Sequence, residues 1–320
     1  QRSLSAEVAE QDLSTNRHPE RLTVLAMTGV TALTRKVAIR IEERQDWGWP
    51  ARRIADLLAA ADLTHVSNEV SFRRGCQAQR DTSAFCAKPE YMETLRLVGA
   101  DLVELTGNHN LDSGRASALY SLDLYAEAGM RTFGGGRNAK DARRPLLITH
   151  NGNRLAFLGY NQFGPRYAWA RQDRPGAARF SLEAVQADLA RVASEADLVF
   201  VSIQHTETYR ARPLPAQRSD FRAVMQAGAD VVTGSQAHQP QAIEFSDGKP
   251  IFYGLGNLFF DQTWSAATSQ SLIVRHTIYD GRLLASEVIP TIMDRNLQPR
   301  LADAEERESI LRAIFAASGW

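Results

Sequence analysis

Several segments of the chain end in side chains that bind metals or move protons. SNEV offers Asn68 and Glu69, and TGNHNLDSG offers Asn108, His109, Asn110 and Asp112. SIQHTET carries Gln204, His205 and Glu207, GSQAHQP carries Gln236 and His238, and GLGNLFFDQ carries Asn257 and Asp261. Imidazole nitrogen mixed with carboxylate and amide oxygen suits Zn, Mn or Fe and does not suit a thiolate centre. Taken singly, each residue has a plainer role: a lone His satisfies hydrogen bonds, and Asn108 or Asn257 shapes a turn. The same kind of group at the end of segment after segment is what singles them out. His18, His65, His150 and His276 lack such company and read as structural or surface residues. The run Gly134 to Gly136 lacks the Lys-Ser/Thr of a phosphate-binding loop, so it reads as a tight turn.

The elements needed to position these groups follow from hydrophobic patterning. LTVLAMTGV, THVSNEV, DLVELTGNH, RTFGGG, RLAFLGYNQF, DLVFVSIQH, ADVVTGSQAH and PIFYGLGNLFF read as strands. Between them, ARRIADLLAAADL, PEYMETLRLVGA, SGRASALYSLDLYAEAG, SLEAVQADLARVASEA and QRSDFRAVMQAGA read as helices, with Pro89 at one start, Ser181 capping another and Gly129 closing a third. Ser271 to Ile292 reads as a hairpin turning at Asp280-Gly281, and DAEERESILRAIFAAS as an amphipathic C-terminal helix. This alternation predicts one compact α/β domain with more than one sheet, and strand ends in such sheets are where ligands bind.

Composition narrows the function classes. The chain has 320 residues, 37 Lys+Arg against 37 Asp+Glu and 44% hydrophobic residues, which is a folded protein without the basic excess of a general nucleic-acid binder. No apolar run approaches the roughly 18 residues of a membrane span; the run from Ala196 to Ile203 is broken by Asp197 and Ser202. The chain opens on Gln1 rather than Met, which implies a preceding piece where a signal peptide or anchor would lie. Cys76 and Cys86 are the only cysteines, and their spacing allows either a small disulfide loop or two free thiols. Trp47, Trp49, Tyr167 and Trp169 suit either a polymer-binding surface or core packing.

In order along the chain, SNEVSF, TGNHNLDSG, GADVVTGSQAHQPQAIE and GKPIFYGLGNLFFDQ resemble the motifs of the CapA/PgsA family of poly-gamma-glutamate biosynthesis proteins, from about Leu22 to Gln262. The resemblance implies the calcineurin-like metallophosphoesterase fold: two mixed β-sheets flanked by helices, a four-layer αββα sandwich. Residues 1–21, polar and without periodicity, read as an arm or a short surface helix, the domain as 22–295, and 296–320 as a C-terminal helix packed on it. The resemblance makes Glu69, Asn108, His205, His238 and Gln236 the metal ligands for one or two divalent Mn, Zn or Fe ions. It makes His109 the catalytic residue, oriented by Asp112, with Asn68, Glu207 and Asn257 binding substrate. The partners it implies are an anionic polymer or phosphoester and membrane-bound polymer-synthesis components, outside the cytoplasm, with no nucleic acid. Two departures weaken the metal site: Val30 follows Gly29 where the family has an acid, and Gln236 replaces the first His of its H-x-H pair. A capsule component with a degenerate site is therefore expected, and an active metal-dependent hydrolase of a phosphoester or amide-linked envelope polymer is the alternative.

Overall fold

A computed structural model describes residues 18–320; the N-terminal arm expected over residues 1–21 lies mostly outside them. The strands, in chain order, are β1 (Leu22–Thr31), β2 (Leu63–Asn68), β3 (Ala100–Glu104), β4 (Arg131–Phe133), β5 (Gly135–Gly136), β6 (Leu146–His150), β7 (Asn153–Asn161) and β8 (Gly176–Ala177). They continue with β9 (Leu198–Gln204), β10 (Val231–Ser235), β11 (Ile243–Ser246), β12 (Lys249–Phe252), β13 (Asn257–Phe259), β14 (Gln270–Tyr279), β15 (Arg282–Met293) and β16 (Pro299–Leu301). One sheet runs β16-β15-β14-β1-β2-β3-β4, with β13 also pairing β1, and the other runs β11-β12-β10-β9-β7-β6.

Alternation along the strands sorts apolar side chains into three layers. Leu25, Met27, Leu102, Phe157, Phe200 and Val274 face one another between the sheets. Ala26, Val30, Val66 and Val103 pack outward against helices Arg35–Arg44, Met92–Leu97 and Gly114–Glu127. On the other flank Val199, Val201 and Ile203 meet helices Leu182–Val192 and Pro215–Gln226. This is the αββα layering expected. Ser181 accepts from Ala184 N–H at 3.2 Å as the predicted cap. The C-terminal helix, Ala304–Ser318, starts in a capping box on Asp303 and buries Ile310 and Ile314 in the layer between the sheets.

Two expectations change. The segment PIFYGLGNLFF is two strands in different sheets, β12 and β13. Gly256, at φ 78°, turns the chain between them, and β1 passes so close that a Cβ on Gly29 would lie 2.2 Å from the Gly256 carbonyl oxygen. The helix read over Ala51 to Leu63 is shortened to Ala55–Ala59, preceded by a 3₁₀ turn at Trp49–Ala51 with Pro50 as its second residue. Cys76 and Cys86 form a disulfide closing a loop beside Asp112. Replacing both with Ser should lower unfolding free energy by about 3 kcal/mol, from the loop entropy restored to the unfolded chain. Chemical denaturation with coincident midpoints for both proteins would contradict this.

Candidate functional site

The carboxyl ends of the parallel strands in both sheets meet at one end of the sandwich, and the loops leaving them carry the site. His109, in the loop after β3, donates from Nδ1 to Asp112 at 2.6 Å and stacks on Phe85 with ring centroids 4.0 Å apart. Burial lowers the affinity of His109 for a proton. The hydrogen bond to Asp112 and the nearby Glu69 charge outweigh that, so its pKa lies above the usual value. Asp112 also accepts from the Phe85 N–H and the Tyr167 hydroxyl, which fixes the carboxylate. The expected His109–Asp112 pairing is therefore present in the geometry.

The residues expected as ligands fall differently. Glu69 is buried, neither carboxylate oxygen has a hydrogen-bond partner among the described residues, and burial pushes its pKa up to about 7. His238 is held by Asn257, whose Oδ1 accepts from its Nδ1 at 3.0 Å, and its Nε2 lies 3.8 Å from Glu207 at the rim. Burial depresses the His238 pKa. Asn257 is thus a support for His238, and Glu207 is half-exposed and accepts from the Tyr209 hydroxyl at 2.6 Å. Asn68, expected to touch substrate, instead donates to the Val70 carbonyl and the Tyr125 hydroxyl inside the fold.

His205 does not join the site. Strand β9 alternates, so Phe200 and Gln204 face the other sheet while Val199, Val201, Ile203 and His205 face the helices. The His205 ring accordingly sits edge-on to Phe221 and reaches Asp220 at 3.0 Å, with its pKa lowered by burial. Gln204 takes the place by the other site residues: its Nε2 donates to Asn108 Oδ1 at 2.7 Å and to Gln236 Oε1 at 2.5 Å. Counting parity back from Phe200 was the signal in the sequence that would have picked Gln204 over its neighbour.

Asn161, which ends β7 in register with Gln204, anchors this cluster. Its Oδ1 accepts from the Gly164 N–H and the Trp169 indole N–H, both at 2.7 Å, and its Nδ2 donates to the Thr106 carbonyl and to Gln204 Oε1. Gln236 and His238 both hold positive φ, 79° and 54°. Such a conformation costs a non-glycine residue about 1–2 kcal/mol and here aims the side chains across the sheet ends.

These residues do not fit a divalent metal. A metal needs several lone pairs converging on one point; the oxygens of Asn108 and Gln236 each accept from the Gln204 amide, which leaves the Glu69 carboxylate and His238 Nε2 as the unpartnered donors there among the described residues, too few for a closed coordination shell. Val30 is packed in the apolar layer and supplies no donor. Among the described residues, no three His, Cys, Asp or Glu side chains are placed to hold an ion. Arg35 and Asp261 add a closed ion pair at the mouth, 2.5 Å apart, with the guanidinium over Phe260.

Comparison with known proteins agrees with the motif order. The chain is 25% identical over 307 residues to the capsule biosynthesis protein CapA of Bacillus anthracis, covering 93% of this chain and 74% of that one. It is 25% identical over 273 residues to the PGA biosynthesis protein CapA of Bacillus subtilis (strain 168), covering 85% and 70%. A solved structure of a hypothetical protein from Thermus thermophilus shares the fold at TM-score 0.50 and 16% identity, covering 83% of this chain and 98% of that one. The profile of the bacterial capsule synthesis protein PGA_cap matches residues 24–262, and the chain belongs to that family.

Proposed function

We propose that this chain is a non-hydrolytic component of a capsule or poly-gamma-glutamate machine, acting outside the cytoplasm with membrane-bound synthesis components. Its site, on this reading, binds polymer without a divalent metal. The observation that carries the reading is Gln204: an amide donates to Asn108 and Gln236 at the strand ends, while the neighbouring His205 faces the helices. The disulfide at Cys76–Cys86 supports an oxidising compartment. No helix among the described residues is long and apolar enough to cross a membrane.

The intact His109–Asp112 pair favours the alternative, a metal-dependent hydrolase of a phosphoester or amide-linked envelope polymer. On that reading the metal would activate water and polarise the scissile group, and His109 would protonate the leaving group. Complementation separates the two. In the host that encodes the chain, a deletion strain should regain its surface polymer from the His109→Ala protein as fully as from the natural one. Loss of polymer with that variant, at equal protein level, would contradict the binding role.

A further inference from the structure

The orientation of every amide in the cluster is fixed by groups that have only one hydrogen-bonding role. The Trp169 indole and the Gly164 backbone N–H can only donate, so the atom of Asn161 facing them is its oxygen. The Thr106 carbonyl can only accept, which places Asn161 Nδ2 on the other side and makes the Gln204 atom it meets Oε1. Gln204 Nε2 must then donate to Asn108 Oδ1 and Gln236 Oε1. The amino groups of Asn108 and Gln236 are left pointing away from Gln204. Neither donates to any described residue, and neither is sealed from solvent as the Glu69 oxygens are. Asn108 is 8% exposed and Gln236 3%.

We propose that Asn108 Nδ2 and Gln236 Nε2 form a paired N–H donor that binds the carbonyl oxygen of a neutral carboxamide, such as the repeating amide of a polypeptide-like polymer. The inference rests on the metal-free reading above and names the chemistry that site would bind. At these two amides a cation would meet hydrogens, because their oxygens are engaged by Gln204. For an anion, Asp112 offsets the charge of His109, and Glu207 beside His238 adds a negative group at the rim. Arg35 donates from Nε and Nη2 to Asp261, which offsets its charge. A neutral acceptor meets the donors without that repulsion. His238 adds an acceptor for the amide N–H: its Nδ1 donates to Asn257, whose amide is fixed by the His238 carbonyl, so Nε2 carries the lone pair of the neutral ring.

The test is a ¹⁵N-resolved titration of the side-chain amide resonances of the full chain with acetyl-glutamine methylamide, acetate and MnCl₂ in separate series. The neutral amide should shift the Asn108 and Gln236 side-chain signals saturably, and acetate should not. Gln236→Glu and Asn108→Asp each keep the oxygen that accepts from Gln204 and replace the amino group by an oxygen. Each should weaken amide binding at least about tenfold, the loss of one hydrogen bond. Stronger saturation by acetate than by the amide overturns the inference in favour of an anion site. No response to the amide, with Mn still unbound, overturns it while leaving the metal-free reading standing. Tight Mn binding by the natural chain overturns both.

Discussion

The double substitution Gln204→His/Gln236→His is expected to turn this chain into a metal binder. The natural protein has its Asn108 and Gln236 oxygens engaged by one amide, and that amide is held in turn by Asn161. Imidazoles at the two positions would remove the donor that occupies those oxygens and would add nitrogen lone pairs beside Glu69, Asn108 and His238. Zn or Mn affinity, followed by calorimetry, should rise at least about 100-fold, or about 3 kcal/mol. Equal affinity of the two proteins would show that the amides are not what excludes the ion. Val30 is left unchanged in this variant because it packs in the apolar layer, where a new carboxylate would be buried unpaired.

Glu69→Gln should reshape the pH dependence of stability between about pH 4.5 and 7. The carboxyl titrates near its ordinary value of 4.5 when the chain is unfolded, and burial pushes it up to about 7 in the fold. Between those values the folded state holds a proton that the unfolded state has released, so the natural protein loses stability as pH rises through this window. The loss is complete above pH 7 and amounts to about 3 kcal/mol. The Gln variant lacks that titration. Its stability relative to the natural protein should therefore rise by about 3 kcal/mol across the window, from about pH 4.5 to just above 7, read by urea denaturation at each pH. Parallel profiles would mean that Glu69 is compensated by a bound cation or by another partner.

Much of the architecture was legible because burial imposes a period. The strand–helix alternation, the Ser181 cap and the hairpin at Asp280-Gly281 each rest on local chemistry that the sequence carries, whereas the αββα layering came with the family resemblance. Motif order identified the family, and the His109–Asp112 pair followed from the motif within one loop. What stayed hidden depends on contacts across the chain. The break between β12 and β13 comes from the close approach of β1 to Gly256. Choosing between Gln204 and His205 needs the strand's parity, since a metal-binding residue type draws attention to the wrong neighbour. Asn161 gave no signal at all: it is an ordinary strand residue whose role appears only once β7 and β9 are paired and Trp169 returns to it.

On the reading proposed above, amide hydrogens stand in place of metal ligands where the two sheets meet. Elemental analysis of the purified natural chain, after incubation with Mn and Zn and removal of excess ion, bears on this without any assumption about substrate. Metal should stay at background level, unchanged by His238→Ala. About one equivalent or more of either metal, lost in His238→Ala, would mean that the strand ends still hold an ion and that the amide cluster rearranges to admit it.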